Sequence, residues 1–343
     1  MLKNKNILMF SNTFFNYEVF IVEKLQERGA TVDFYNERPS NNLFIKGIIR
    51  VKKELLKSSI TKYYQKILEN VKTKKYDILF LIKGEVIPKF FIEKIIERNP
   101  EIQIFYYNYD SFTNNPNVLD ILPLFHYKYT FDPDDSKKYN FVFRPLFYCD
   151  DYRDLRRKSL GNKKKYTYDV LFIGTAHSDR YIVAEAVKKI ISQYGRVAFN
   201  YYYMPSKWVY WFKKFFDSSF FKFDYNNLSF TKLSHSQIIE LYNKTNCVLD
   251  INHPNQEGLT MRTFEALGAR KKLITTNPSI NKYSFYNESN IMVINREDVK
   301  IEDSFFENKF VEYSDQQLYR MSLDGWIDDI FLRNEPFFHL KKS

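Results

Sequence analysis

Residues 247–278 read CVLDINHPNQEGLTMRTFEALGARKKLITTNP, and the succession of residue types in this stretch decides the fold class. An apolar run closes at Asn252, a loop bearing Pro254 and Gly258 follows, and a helical pattern runs to Leu267 with Gly268 as its stop. A second apolar run begins at Lys272. Strand, turn, helix and strand, with no polar alternation inside the strands, is a parallel βαβ unit whose sheet is covered on both faces. Met261, Phe264 and Leu267 recur at helical spacing and are expected to face the sheet, while Arg262 and Glu265, also three apart, share the adjacent face.

The same rhythm extends outward in both directions. NILMFS (6–11), a polar loop at Asn12-Thr13, a helical pattern to Glu27 and a strand pattern at 31–35 open the chain. YDILFLI (76–82), a helix started by Pro88, and IQIFYYN (102–108) continue it. Residues 151–168 (DYRDLRRKSLGNKKKYTY) show no apolar periodicity and carry a dense basic run, which reads as a linker. The pattern then restarts with a strand at 169–173 and a helix at 180–193. The expectation is an α/β protein with two Rossmann-like domains facing across a cleft, at 1–150 and 169–325, joined by a basic linker. A tail, 326–343, is expected to pack back on the first domain. In such sheets ligands bind beyond the carboxyl ends of the strands.

Composition narrows the function classes. The chain has 343 residues, is 44% hydrophobic and 18% aromatic, and carries a formal charge of +11. That aromatic content excludes a mostly disordered chain. Cys149 and Cys247 form no CxxC, so neither a disulfide framework nor a zinc site is indicated. The N-terminal apolar run is too short for a signal peptide, and no stretch approaches a transmembrane span. The expected location is therefore cytoplasmic. No GxGxxG occurs, which disfavours a nicotinamide or flavin enzyme.

A helix N-terminus at the end of a parallel strand presents free N–H groups and positive dipole. With Thr260 and Arg262 beside it, the loop before the helix suits a diphosphate, and Glu265 one turn on suits a ribose. The turn carrying Gly174, Thr175 and Arg180, after the first strand of the second half, offers a second contribution of the same kind. In the first half, Lys83-Gly84-Glu85 and Asp110 each follow a buried strand. Asp110 is the first candidate for a base acting on an acceptor hydroxyl and Glu85 the second, with Asn12, Thr13 and Lys83 as acceptor-site residues by position. The Asp132-Pro133-Asp134-Asp135 run reads as a turn capping a helix rather than a metal site, and no metal is expected. His253 is the one histidine placed to join the site.

Taken together, GLTMRTFEALGARKKLITTN, YDVLFIGTAHSDR (168–180) and KYTFDPDDSKKYNFVFRPLFY (128–148) resemble the CgeB-like branch of the GT-B glycosyltransferases. Many members of that branch belong to capsule, lipopolysaccharide and exopolysaccharide biosynthesis. The resemblance implies a nucleotide-sugar donor in the C-terminal domain, with Glu265 on the ribose and Arg262 on the phosphates, and an acceptor in the N-terminal domain. Glu257 and Glu265 also have the E-x7-E spacing of many retaining GT-B enzymes, which makes Glu257 a catalytic candidate; retaining and inverting outcomes stay open. No cofactor beyond the donor is implied.

Two segments bear on partners. Residues 46–75 hold ten Lys/Arg against two Asp/Glu and read as a basic amphipathic helix. Residues 206–223 place Trp208, Trp211, Phe212 and Phe215 on one helical arc with lysines at its edges, as in an interfacial helix or one packed in a core. The first reading is peripheral association with an anionic membrane at its inner face and a lipid-linked glycan acceptor. The alternatives are a nucleotide-sugar epimerase of the same architecture and a nucleic-acid-binding protein; the second lacks any recognisable nucleic-acid motif, so no nucleic-acid partner is expected.

Overall fold

The computed structural model describes residues 2–13, 15–40, 56–110, 112, 116–160, 166–176, 179–216, 220, 223–254 and 257–333. They fall into two compact units. One comprises the chain up to Pro145 together with the segment from Leu323; the other is Leu146–Ser322.

The first unit runs β1 (Asn6–Ser11), α1 (Tyr17–Glu27), β2 (Thr31–Asn36), α2 (Lys57–Asn70), β3 (Ile78–Ile82), α3 (Lys89–Arg98), β4 (Gln103–Asn108), β5 (Tyr127–Thr130), α4 (Pro133–Tyr139) and β6 (Val142–Phe143). All pairings are parallel, in the order β2-β1-β3-β4-β5-β6. Leu8, Phe10, Leu79 and Leu81 carry the core from the sheet, and Tyr64 and Phe91 close it from α2 and α3. Phe91 stands edge-on to Phe10 at 5.2 Å. Because β2 lies on one side of β1 and β3 on the other, the chain changes winding direction between β1 and β3. Asp132 N-caps α4, accepting from the backbone N–H groups of Asp134 (2.9 Å) and Asp135 (3.1 Å), so the acidic run shapes a helix start.

The second unit runs α5 (Asp150–Leu160), β7 (Tyr168–Thr175), α6 (Arg180–Ser192), β8 (Ala198–Tyr203), α7 (Lys207–Phe216), β9 (Leu228–Ser229), α8 (His235–Asn243), β10 (Thr245–Asp250), α9 (Met261–Gly268), β11 (Lys272–Thr275), β12 (Ile291–Val293), α10 (Ser304–Glu307) and α11 (Asp315–Met321). Its strand order is β12-β11-β10-β7-β8-β9, again all parallel, with the change of direction between β7 and β10. The two sheets are the expected pair of Rossmann-like α/β units.

The expected linker at 151–168 is corrected. Most of it is α5, and β7 begins at its last residue, while 161–165 lie outside the described residues. The helix buries Tyr152, Leu155, Arg156 and Ser159, a helical spacing in which half the positions are polar, so no apolar period is visible. Arg156 is held by Glu312 at 2.5 Å. The chain then returns to the first unit through α12 (Leu323–Asp328) and the turn Asp329–Arg333. There Trp326 lies edge-on to Tyr107 at 4.7 Å, the Tyr129 hydroxyl donates to the Ile330 carbonyl at 2.8 Å, and Arg144 pairs with Asp329 at 2.8 Å.

Of the basic segment 46–75, residues 46–55 lie outside the described residues. In the remainder α2 turns Ile60, Tyr64, Ile67 and Leu68 into the core, which accounts for its apolar face. Residues 217–219 and 221–222 of the aromatic segment are likewise outside the described residues. Within α7 only Tyr210 is buried. Trp208 is 86% exposed and Phe215 78%, and Trp211 and Phe212 are also exposed, so the arc is not core.

Candidate nucleotide-binding site

The change of direction between β7 and β10 brings two helix N-termini to one sheet edge, α6 after β7 and α9 after β10. The organising residue is Asp250, the last of β10 and 1% exposed. Its carboxylate accepts from the hydroxyls of Thr260 (2.7 Å) and Thr263 (3.0 Å) and from Arg262 Nη1 (3.1 Å). Arg262 also donates to the Ile173 carbonyl of β7 at 2.5 Å, which stitches the two strands together. Thr260 is the N-cap residue of α9, yet its side chain caps nothing because Asp250 holds it. The first N–H groups of α9 therefore have no N-cap side chain bonded to them.

At α6 the arrangement repeats with other residues. The N-cap residue Asp179 makes no side-chain cap, since both its oxygens take Arg296 Nη1, at 3.0 and 2.9 Å. Arg296 donates in turn to the Asn252 carbonyl at 2.6 Å. Arg180, the first residue of α6, completes the cluster. Burial, followed by the like charges of Arg262 and Arg296, pushes its pKa down to about 10, with Asp250 and Asp179 only partly offsetting this. Its Nε is buried, and it makes no ion pair among the described residues. Three guanidinium groups thus face two carboxylates around two uncapped helix N-termini. Such a place accepts an anion, and above all a diphosphate.

The sequence-predicted residues take different places. Thr260, Arg262 and Arg180 come together in this cluster. Gly174 and Thr175 end β7, and a Cβ on Gly174 would come within 2.6 Å of the Phe172 ring, so its glycine answers to packing in the sheet rather than to a ligand's approach. Glu265 is buried on α9 and accepts from the Tyr242 hydroxyl at 3.3 Å. Burial of the Tyr242 phenol, followed by the Glu265 charge, holds it far above its ordinary pKa. Glu257 is about half exposed, bonded to the Ser279 hydroxyl and 3.8 Å from Lys282. His177 and Ser178 of the β7–α6 turn, and Asn255 and Gln256, lie outside the described residues. Asp250 and Arg296 were missed. Arg296 meets Asp179 across 117 residues, and only the pairing of β10 with β7 could have signalled it.

In the first unit, the carboxyl ends of β1 to β4 carry a second polar cluster. Lys83, in the left-handed region at φ +80°, pairs with Asp110 at 3.1 Å and reaches Glu85 at 3.8 Å. Glu85 accepts from Arg38 Nε at 2.6 Å. Glu85 is therefore a buried ion-pair member and not a free base, a correction to its candidacy. Asp110 keeps 28% of its side chain exposed. The Thr13 hydroxyl accepts from the Asn36 amide at 2.6 Å, and Asn12 is buried. Among the described residues no three His, Cys, Asp or Glu side chains group as metal ligands, and no helix is long and apolar enough to cross a membrane.

No family model matches the chain, and no curated protein does. Solved structures do. An alpha-glucosyltransferase determined with UDP and a 13-mer DNA aligns over 95% of this chain and 96% of its own at TM-score 0.56 and 14% identity. An alpha,alpha-trehalose-phosphate synthase (UDP-forming) from Burkholderia xenovorans aligns over 96% and 99% at TM-score 0.55 and 10% identity. The lipopolysaccharide outer core galactosyltransferase WaaB aligns over 96% and 99% at TM-score 0.50 and 8% identity. The chain has the GT-B fold, which these alignments follow over 95–96% of it.

Proposed function

We propose that this chain is a glycosyltransferase of the CgeB-like type that moves a sugar from a nucleotide-diphosphate donor to a surface-polysaccharide acceptor. The observation that carries the reading is Arg180, a partly desolvated guanidinium without an ion-pair partner among the described residues, set at a helix N-terminus beside Arg262 and Arg296. A diphosphate placed there receives charge-assisted bonds from the arginines and backbone N–H bonds from α6 and α9. Leaving-group stabilisation is the main service a transferase must render when the sugar–phosphate bond breaks. Thr260 and Arg262 hold the phosphates, Thr175 at the end of β7 lies beside them in this reading, and Glu265 takes the ribose. In this reading Glu257 is the catalytic candidate on the donor side and Asp110 assists the acceptor. The UDP in one structural neighbour makes uridine diphosphate the first donor to try.

The acceptor is lipid-linked in this reading, and α7 supports it. Its exposed arc of Trp208, Trp211, Phe212 and Phe215, flanked by Lys207, Lys213 and Lys214, matches the chemistry of an anionic bilayer surface. Thermal-shift screening against UDP-, GDP-, CMP- and dTDP-sugars tests the donor. One nucleotide should stabilise the chain, by about 2.7 kcal/mol at a hundredfold excess over Kd. No response to any of them sinks the reading. Co-sedimentation with vesicles containing phosphatidylglycerol tests the surface. Binding should fall when Trp208 and Phe215 are replaced by serine; binding of DNA oligonucleotides in place of vesicles would redirect the acceptor to nucleic acid.

A further inference from the structure

Two residues of capping type precede the helices of the arginine cluster, and neither caps. An aspartate in that place ordinarily accepts from the first free N–H groups of its helix, as Asp132 does at α4. Asp179, before α6, accepts from none of them. Its backbone stands at φ −80° and ψ 0°, away from the extended conformation of a capping residue, and both its oxygens are taken by Arg296 Nη1. The pair borders solvent, with 32% of the Asp179 side chain and 19% of the Arg296 side chain exposed. At α9 it is Asp250 that withholds Thr260. A hydroxyl released there would bring no charge; a carboxylate released at α6 would.

Arg296 reaches Asp179 from the far side of the sheet. Ile294 N–H donates to the Thr275 carbonyl at 2.9 Å, continuing the β11–β12 ladder, and Arg296 follows at its carboxyl end. Its Nη2 bonds the Asn252 carbonyl at 2.6 Å, and the Asn252 side chain takes the Thr276 hydroxyl at 2.8 Å. The guanidinium is thus fixed between the loop after β10 and the start of α6. Without it the Asp179 carboxylate has two other claimants. One is the first turn of α6, whose N–H groups and dipole favour a negative charge. The other is Arg180, the next residue, whose buried Nε has no hydrogen-bond partner among the described residues and whose charge Asp179 already stabilises. Either way a built-in anion would take the donors that a diphosphate needs, because carboxylate and phosphate compete for the same N–H groups and the same guanidinium.

We propose that Arg296 is a positioning residue for the diphosphate site: by holding Asp179 away from α6 it keeps the helix N–H groups and Arg180 open to the ligand. The nucleotide as ligand rests on the transferase reading; the competition between Asp179 and a diphosphate does not.

Isothermal titration of the full chain with uridine diphosphate and with inorganic pyrophosphate tests this. Arg296→Gln should weaken both about tenfold, as expected when one charge-assisted contact is denied to the ligand. Adding Asp179→Ala to Arg296→Gln should bring the affinity back to within about threefold of that of Asp179→Ala alone. An Arg296 that touched the phosphates itself, or that only braced Asn252, would leave the double variant as weak as Arg296→Gln, and that result overturns the proposal. An Arg296→Gln chain that binds like the wild type overturns it too. Asp179→Ala alone should bind at least as tightly as the wild type; weaker binding refutes the proposal, and this arm holds even where a change at Arg296 unfolds the chain. Pyrophosphate binding without uridine diphosphate binding would count against the transferase reading and leave the comparison of variants standing, whereas a wild-type chain that binds neither sinks both.

Discussion

Arg180 and Arg262 repel one another in the same cluster and should respond to substitution in opposite ways. Arg262 neutralises Asp250, which is buried and holds two threonines, so Arg262→Ala strands a buried carboxylate and should cost about 3 kcal/mol of stability. Arg180 has no such obligation. Arg180→Ala removes a desolvated cation repelled by two others, and the melting temperature should stay level or rise while stabilisation by nucleotide is lost. Melting each variant with and without uridine diphosphate separates the two; a destabilised Arg180→Ala chain that still binds nucleotide would refute the assignment. Glu37 gives a pH signature at the same scale. Burial pushes its carboxyl up from 4.5 to about 7. The folded state therefore holds a proton that the unfolded chain releases between these values, and Glu37's contribution is full below about pH 4.5 and lost as pH rises through 7. The loss is of the order of 3 kcal/mol, and Glu37→Gln should flatten that slope in melts taken across the window.

Element by element, the helix that carries the site is also held from behind. A Cβ on Gly268, the last residue of α9, would lie 2.5 Å from the ring of Tyr148, which is itself buried and donates its hydroxyl to the Leu318 carbonyl at 2.8 Å. That ring cannot step aside cheaply, so Gly268→Ala should destabilise the second unit by about 1–3 kcal/mol and weaken nucleotide binding with it. An unchanged melting curve would show that α9 has room to move. Gly268 reads in the sequence as a helix stop, yet it is still helical, with Ala269 as the C-cap residue and Arg270 in the left-handed region at φ +60°; what requires a glycine there is the Tyr148 ring, which no local pattern shows. The strands were readable because runs such as ILFLI and VLFI are apolar throughout, which only doubly covered parallel strands require. The helix α5 was unreadable because Arg156 and Ser159 lie on its buried face, and what makes an arginine acceptable there is Glu312, a residue no local pattern connects to it. The site divides the same way. Thr260, Arg262 and Arg180 follow from their places at strand ends, whereas nothing local in the sequence marks Asp250 or Arg296, which only the pairing of β10 with β7 brings to the site.

At the scale of the molecule, the first unit is not a contiguous piece of chain. Residues up to Pro145 leave the side of the sheet bearing Phe80 and Tyr107 to be covered by Trp326, 1% exposed, and leave Arg144 to be neutralised by Asp329. Arg28 is fastened to Asp324 at 2.7 Å in the same return segment. Removing everything after Ser322 uncovers one large aromatic contact, worth about 3–5 kcal/mol, and strands a fully buried guanidinium, worth about as much again. Those losses together rival the whole stability of an ordinary domain. The second unit keeps its sheet, its arginines and both helix N-termini, since α6, α9 and Arg296 all precede the cut. Calorimetry of the chain ending at Ser322 should therefore show one cooperative transition in place of those of the full chain, and uridine diphosphate should still raise it. A truncated chain that melts like the intact one would mean that the return segment covers the first unit without holding it together.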